Sequence, residues 1–232
     1  MIKILSDEIH VWRVNMGSFE AKIDQFMSVI NKAEQAKAAR FVREVDKNRS
    51  IIARSILRQL LGEYLNCTPQ AIELQYNAFN KPELAGQDTA LLHFNVSHSH
   101  DWIIYAVCEK YPVGVDIEYI NQDVDVAAIA ERFFHPGENQ FIQSLTGDAQ
   151  MAAFFRCWAR KEALLKALGQ GLSFPLEQCQ VSLEEDQPAR VLSIVGQNID
   201  QWILHDLAIV DGFAAAVAVN GLVTKIKLRD WG

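Results

Sequence analysis

Residues 91–118 read LLHFNVSHSHDWIIYAVCEKYPVGVDIE, and this stretch decides the fold class. It contains three strand candidates rich in apolar residues, at Leu91–Val96, Trp102–Cys108 and Val113–Glu118. Short runs rich in β-branched and aromatic residues predict β-strands. We therefore expect three consecutive strands in the middle of the chain.

Helical patterns lie on both sides of these strands. In Asp46–Leu65 apolar residues recur every three to four positions, which predicts a long amphipathic helix. Further helices are predicted at Val124–Phe134, Gly137–Leu145 and Asp148–Leu168. Additional strands are predicted at Ile9–Val14, Cys179–Leu183, Arg190–Val195, Trp202–Val210, Phe213–Val219 and Leu222–Leu228. This order of strands and helices indicates an α+β fold of two similar halves.

Composition excludes several classes of protein. The chain has 232 residues, of which 50% are hydrophobic, so it can bury a sizeable core. Its net charge of -7 argues against general binding to nucleic acid. The longest apolar run, Phe213–Val219, is too short for a membrane span, and acids at Asp7 and Glu8 argue against a signal peptide. We expect a cytoplasmic monomer whose four cysteines, none in a C-x-x-C pair, are reduced.

Positive charge is concentrated in one segment. Between Lys32 and Arg58 eight basic residues stand against three acids. The eight are Lys32, Lys37, Arg40, Arg43, Lys47, Arg49, Arg54 and Arg58. Such a cluster is either a solvated helix face or a docking site for phosphates or an acidic partner.

Two carboxylates alternate on the third predicted strand. In Gly114-Val115-Asp116-Ile117-Glu118 the acids are two positions apart, so they point to the same side of the strand while the residues between them face the core. Two neighbouring anions favour a cation between them, and Mg²⁺ prefers oxygen ligands. The alternative is a solvent-facing acidic edge.

The helix predicted at Asp148–Leu168 carries a second polar group. Glu162 and Lys166 are four positions apart and share one helix face, with Trp158 one turn earlier. A surface ion pair would explain this spacing. The aromatic neighbour and the exit Gly169-Gln-Gly171 favour a closely shaped site instead.

The third group is Phe94-Asn-Val-Ser-His-Ser-His100, at a predicted strand end. Its Asn95, Ser97 and His98 side chains can donate hydrogen bonds to an anion. His98 and His100 also raise the alternative of zinc, although further histidine ligands at matching spacings are missing from the sequence.

Taken together, these three segments resemble the Sfp-type 4′-phosphopantetheinyl transferases. The matching stretches are Phe94–Ser99, Gly114–Glu118, Arg132–Phe134 with Glu138, Trp158 with Lys161, Glu162 and Lys166, and Gly169–Leu172. Ala159 departs from the Ser or Thr that many members carry. The resemblance covers nearly the whole chain, including the region around Arg40 and Asp46-x-x-Arg49.

The resemblance implies a fold and a reaction. The fold is two pseudo-symmetric α/β halves, residues 1–112 and 113–232, with the active site in the cleft between them and the metal and catalytic residues in the second half. The enzyme would move the phosphopantetheine arm of coenzyme A to a serine of an apo acyl or peptidyl carrier protein, leaving adenosine 3′,5′-bisphosphate. Mg²⁺ is implied as cofactor, with Mn²⁺ as a substitute.

The resemblance also implies roles for individual residues. The metal ligands would be Asp116, Glu118 and Glu162. Catalysis would fall to Lys166 at the reacting phosphate and to Glu162, with either Glu162 or a metal-bound water as the base. The residues implied to bind coenzyme A are Arg49, Lys81, Asn95, Ser97, His98 and Lys161, with His98 near the 3′-phosphate.

Two further expectations complete the sequence-based account. We predict that Leu172 and Phe174 contact the carrier protein, with ordinary core packing as the alternative. The alternatives to the transferase are a non-catalytic carrier-binding or nucleotide-binding module of the same fold and a zinc hydrolase using His98 and His100.

Overall fold

The computed structural model describes residues 1–86, 92–169 and 174–232. Within these ranges the predicted mixture of helices and strands is confirmed. The helices are α1 (Ile23–Met27), α2 (Lys32–Ala38), α3 (Glu44–Leu65), α4 (Val126–Phe133), α5 (Pro136–Gln143) and α6 (Gly147–Leu168). The strands are β1 (Glu8–Asn15), β2 (Leu74–Tyr76), β3 (Pro82–Leu84), β4 (Leu92–Ser99), β5 (Trp102–Glu109), β6 (Val113–Tyr119), β7 (Cys179–Val181), β8 (Val191–Ile194), β9 (Trp202–Asp206), β10 (Phe213–Asn220) and β11 (Lys225–Asp230).

Two sheets form the centre of the molecule. The first has the strand order β11-β1-β5-β4, and the second has the order β6-β10-β9. Alternate residues of β5 face opposite ways: Tyr105 belongs to a core under α3, whereas Ile104 and Ala106 belong to a core shared with the second sheet. The two sheets therefore pack face to face through their apolar sides.

A long helix covers the outer face of each sheet. The helix α3 packs on the first sheet through Ile52, Ile56 and neighbouring residues. The helix α6 packs on the second sheet, where the facing positions of β10 are the small residues Ala216 and Ala218. The layers therefore run helix, sheet, sheet, helix, and the fold consists of two similar halves. Gly169 ends α6 in the left-handed conformation with φ of 72°, as its position predicts.

The last strand returns to the first half. β11 pairs in parallel with β1, and Trp231 then packs against Phe19 and Phe26. The division of the chain at residue 112 stays a proposal, and it needs an amendment, because residues 225–230 complete the sheet of the first half. Across the part of the chain that the structure describes, no helix is both long enough and apolar enough to cross a bilayer.

Candidate active site

Asp116 stands at the junction between the two halves. It lies on β6 and is only 2% exposed. Its Oδ1 atom accepts hydrogen bonds from Ser97 Oγ of β4 at 2.8 Å and from Lys166 Nζ of α6 at 2.6 Å. Three separate elements therefore contribute to one polar contact, and the structure brings together three of the residues singled out in the sequence.

A glycine allows α6 to approach this strand. A Cβ atom at Gly114 would collide with the carbonyl oxygen of Ala163 in α6, so only glycine permits the observed packing. The close contact brings the last turns of α6 to the carboxylates. Lys166 Nζ is accordingly also 2.9 Å from Ser97 Oγ and 3.3 Å from the carbonyl oxygen of Val115.

Glu118 has a partner that the sequence analysis did not identify. Ser99 Oγ donates a hydrogen bond to Glu118 Oε2 at 3.4 Å and accepts one from the backbone N–H of Tyr119 at 3.0 Å. The signal for this role is present in the sequence, because Ser99 is two positions from Ser97 and shares its side of β4.

The surroundings of Glu118 and Glu162 disfavour the charged form of both side chains. Burial, followed by the negative charge of Asp116, raises the pKa of Glu118 to about 7. Burial and then Asp116 also raise the pKa of Glu162, while Lys166 acts in the opposite direction. A cation entering between these groups would relieve the repulsion.

Two carboxylate oxygens at this site are buried without a hydrogen-bond partner among the described residues. Within the described ranges, Asp116 Oδ2 and Glu162 Oε1 are buried and have no hydrogen-bond partner. An unsatisfied buried acceptor costs about 1–3 kcal/mol, so such atoms call for a ligand. Carboxylate oxygens suit a hard divalent cation, and the donor set fits Mg²⁺ in this respect.

The carboxylates of Asp116, Glu118 and Glu162 are nevertheless not close enough together in this structure to form a metal site. In residues 1–86, 92–169 and 174–232, no three His, Cys, Asp or Glu side chains are grouped closely enough to hold a metal ion. The ammonium of Lys166 takes the position beside Asp116 instead. His98 and His100 belong to no such group within the described residues either, and no observation there favours the zinc hydrolase over the transferase.

A cavity of about 450 Å³ opens on the other side of β4. His98 and Arg49 both line it, so two of the predicted coenzyme A contacts share one space. Arg49 also forms an ion pair with Asp101, at the turn after β4. Ser97 precedes His98 and points the other way, toward Asp116, so β4 separates the cavity from the carboxylates.

Two residues predicted to contact coenzyme A, Asn95 and Lys161, are buried and bonded within the protein, and their contact with coenzyme A stays a prediction. The Asn95 side chain is buried, and its Oδ1 atom accepts a hydrogen bond from the backbone N–H of Val115 at 2.9 Å, which joins β4 to β6. Lys161 is fully buried, and its Nζ atom is 2.5 Å from both Glu138 Oε2 and the carbonyl oxygen of Cys179. Each of the two side chains therefore has at least one hydrogen-bond partner inside the protein.

Two further predicted residues, Lys81 and Phe174, are not among the residues that line this cavity. Lys81 Nζ donates hydrogen bonds to the backbone carbonyl oxygens of Lys166 at 2.7 Å and Val113 at 3.3 Å. Phe174 is partly buried and packs against the core under α6. Leu172 lies outside the described residues, and the predicted contact of both apolar residues with a carrier stays a prediction.

Comparison with known proteins adds the family. A model described as the 4′-phosphopantetheinyl transferase superfamily matches residues 112–218. A second, described as the N-terminal part of 4′-phosphopantetheinyl transferase, matches residues 15–110. The two matches meet between β5 and β6, and together they cover β4, β5, β6 and β9 in full, most of β10, only the last residue of β1 and none of β11.

Three similar proteins carry the same name. The chain is 35% identical over 222 residues to 4′-phosphopantetheinyl transferase HetI of Nostoc sp., covering 95% of this chain and 91% of HetI. It is 34% identical over 156 residues to a putative 4′-phosphopantetheinyl transferase of Synechocystis sp., covering 67% of this chain and 63% of that protein. It is 32% identical over 163 residues to a 4′-phosphopantetheinyl transferase of Bacillus subtilis, covering 70% of each. The chain therefore belongs to the 4′-phosphopantetheinyl transferase superfamily.

Proposed function

We propose that this protein transfers the 4′-phosphopantetheine arm of coenzyme A to a serine hydroxyl of an apo acyl or peptidyl carrier protein. The observation that carries the proposal is the contact of Lys166 with Asp116 and Ser97, beside the half-buried carboxylates of Glu118 and Glu162. On the other side of β4 lies the cavity lined by His98 and Arg49, which suits a phosphorylated nucleotide. Family membership supports the same reaction.

The cavity is proposed to hold the nucleotide end of coenzyme A. His98 is exposed on its wall, where it can contact the 3′-phosphate, and Arg49 adds a positive charge from α3. The pyrophosphate would then cross the edge of β4 toward Lys166. This path requires substrate to interrupt the ion pair of Arg49 with Asp101, which is part exposed and therefore weak.

Mg²⁺ is proposed to bind among Asp116, Glu118 and Glu162. The buried, unpartnered oxygens of Asp116 and Glu162 and the raised pKa of Glu118 support a cation there. When bound, the ion would neutralise phosphate charge and act as a Lewis acid. Mn²⁺ has similar ligand preferences and is proposed as a substitute.

The transfer itself needs one bond made and one broken. The serine oxygen of the carrier attacks the phosphorus that bears the pantetheine arm, and the bond from that phosphorus to the bridging oxygen breaks. Adenosine 3′,5′-bisphosphate leaves with the bridging oxygen. Lys166 stabilises the charge on this oxygen, and Glu162, whose pKa is raised by burial, is a candidate to accept the serine proton.

The carrier is proposed to approach from the side of Phe174 and Leu172, aided by the basic segment 32–58. Much of that segment is already paired within the protein. Arg58 is buried on Glu34, Lys47 pairs with Glu44, and Arg49 pairs with Asp101. Its contribution to the encounter is therefore expected to be long-range steering.

Nucleotide analysis tests the proposal. The purified protein is incubated with coenzyme A, Mg²⁺ and several apo-carriers, and the nucleotides are separated by chromatography. We expect adenosine 3′,5′-bisphosphate to form in a one-to-one ratio with holo-carrier and to stop forming in excess EDTA. Release of the nucleotide without carrier modification would contradict transferase function, and full activity in EDTA would contradict the metal.

A further inference from the structure

The ammonium group of Lys81 contacts backbone carbonyl groups of the protein. It lies between β2 and β3 in the first half, and its Nζ atom is 2.7 Å from the carbonyl oxygen of Lys166 and 3.3 Å from that of Val113. Both acceptors belong to elements of the catalytic site, the end of α6 and the start of β6. One ammonium group therefore bridges the first half, the strand of Asp116 and the helix of Lys166.

The loop that carries Lys81 is itself fixed. Asn77 Oδ1 accepts hydrogen bonds from the backbone N–H groups of Phe79 at 2.9 Å and Lys81 at 3.0 Å. Asn80 adopts a left-handed conformation with φ of 60°, which turns the chain just before Lys81. The direction of the Lys81 side chain is therefore set by its own loop.

Lys81 and Pro82 are neighbours in this loop, but they contact different parts of the protein. Pro82 lines the 450 Å³ cavity together with His98, whereas Lys81 reaches the end of α6. A contact of Lys81 with coenzyme A in that cavity would require its ammonium to leave both carbonyl groups.

The end of α6 gains a specific benefit from a cation. The carbonyl oxygen of Lys166 is in the last turn, where intrahelical donors run out. The backbone N–H of Gly169 reaches it only at 3.3 Å, so Lys81 supplies the shorter hydrogen bond. A positive charge at this end also interacts favourably with the helix dipole.

The site places strict demands on Lys166. Its Nζ atom must lie near Asp116, Ser97 and the carbonyl oxygen of Val115 at the same time. Its backbone position is fixed by the Gly114 contact on one side and by Lys81 on the other. A shift of about 1 Å in such a residue can lower a rate by about a hundredfold.

We propose that Lys81 is a positioning residue, whose ammonium group holds the backbone of Lys166 against the start of β6. The inference rests on the proposed transferase function. The surroundings of Lys81 agree with an internal role, because burial, and then the charge of Lys166, lower its pKa to about 8, while Glu83 acts in the opposite direction.

The test separates catalysis from substrate binding. Lys81→Met keeps the length of the side chain and removes its donor, Lys81→Arg keeps a cation, and Lys110→Met is the control, since Lys110 is an exposed lysine. Transfer kinetics are measured for all three, coenzyme A affinity by calorimetry, and folding by thermal unfolding. If Lys81→Met does not fold, Lys81→Gln replaces it.

For Lys81→Met we expect kcat to fall by about ten- to a hundredfold while the coenzyme A Kd stays within about twofold of the parent. Lys81→Arg should recover part of kcat, and Lys110→Met should match the parent. An unchanged kcat with a raised coenzyme A Kd would assign Lys81 to substrate binding and overturn the inference. Parental values of both constants in Lys81→Met would also overturn it, whereas an inactive parent would refute the proposed function itself.

Discussion

Lys166 Nζ lies 2.6 Å from Asp116 Oδ1, so the last turn of α6 neutralises a carboxylate buried on the neighbouring strand. Asp116 is almost fully enclosed, whereas the Lys166 side chain is about one-quarter exposed. A pyrophosphate entering the site would compete with Asp116 for this ammonium. The contact thus joins the two proposed functions of the site, which are holding a cation and stabilising phosphate charge.

Replacing Asp116 tests the acidic centre. Asp116→Asn is expected to lower transfer by more than about a hundredfold, because it removes the charge that would hold the cation. Thermal unfolding should stay near that of the parent, since the change also relieves repulsion with Glu118 and Glu162. Asp123→Asn, an exposed acid, is the control. Parental activity of Asp116→Asn would remove this residue from the metal site.

His98 is expected to recognise the 3′-phosphate of coenzyme A. His98→Ala should raise the KM for coenzyme A, because it removes a donor from the cavity wall. Dephospho-coenzyme A, which lacks that phosphate, should be a poorer substrate than coenzyme A for the parent and lose less activity in the variant. His205→Ala, on an exposed strand, serves as the control. A parent that uses both substrates equally would contradict the assignment.

Lys161 is expected to contribute to stability through its buried pair with Glu138. Lys161→Met should lower the free energy of unfolding by about 3–5 kcal/mol, because it leaves Glu138 without its counter-charge. Urea titration measures the change. Glu185→Gln, which breaks the exposed pair with Arg156, should change it by less than about 1 kcal/mol. Equal changes in the free energy of unfolding for the two variants would show that the buried pair contributes no more to stability than the exposed pair.

The pH dependence of stability should report on His10. This buried side chain bonds Tyr64 and Glu8, and burial, followed by the charge of Arg229, lowers its pKa from 6.5. Glu8 acts to raise that pKa, and Lys227 acts to lower it. The imidazole of His10 binds a proton more tightly in the unfolded chain than in the folded protein. The contribution of neutral His10 to stability is therefore present above pH 6.5, and it is lost as the pH falls through the lowered pKa.

The measurement compares melting temperatures of the parent and His10→Gln between about pH 7.5 and about pH 5.5. The parent should lose more stability on acidification than the variant. Glu8 titrates in a lower range, because its hydrogen bond to Lys227 lowers its pKa from 4.5. Parallel pH profiles of the two proteins would contradict the role of His10.

Carrier docking has its own signature. Phe174→Ala should lower kcat/KM for the carrier while coenzyme A affinity by calorimetry is unchanged, with the exposed Leu192→Ala as control. Raising salt should weaken carrier use more than coenzyme A binding, as the Debye length shrinks from roughly 10 Å at 0.1 M to about 3 Å at 1 M. Loss of thermal stability with impairment toward both substrates would show that Phe174 is only a core residue.

Local periodicity predicted much of the site. The alternation along β6 placed Asp116 and Glu118 on one side, and the helical spacing placed Glu162 with Lys166 on one face of α6. Ser97 and His98 were assigned to a strand end, but β4 continues to Ser99. Because neighbours on a strand point to opposite sides, one of the pair faces the carboxylates and the other faces the cavity.

The remaining features depend on partners that periodicity does not reveal. Lys161 and Glu162 are adjacent, yet one turns inward to Glu138 and the other toward Asp116, since neighbours on a helix are about 100° apart. The side chain of Asn95 accepts a hydrogen bond from the backbone N–H of Val115, which is twenty residues away in sequence. The pairing of β11 with β1 joins opposite ends of the chain, which local patterns do not specify.

The central claim is that this protein transfers a phosphopantetheine group, and the intact mass of an apo-carrier tests it most directly. The carrier is incubated with coenzyme A, Mg²⁺ and either the parent protein or Lys166→Met. With the parent, we predict that the carrier gains the mass of one phosphopantetheine group at its serine. With Lys166→Met, the gain should be slowed by more than about a hundredfold. An unchanged carrier mass with the parent, or an equal rate with Lys166→Met, would contradict the account.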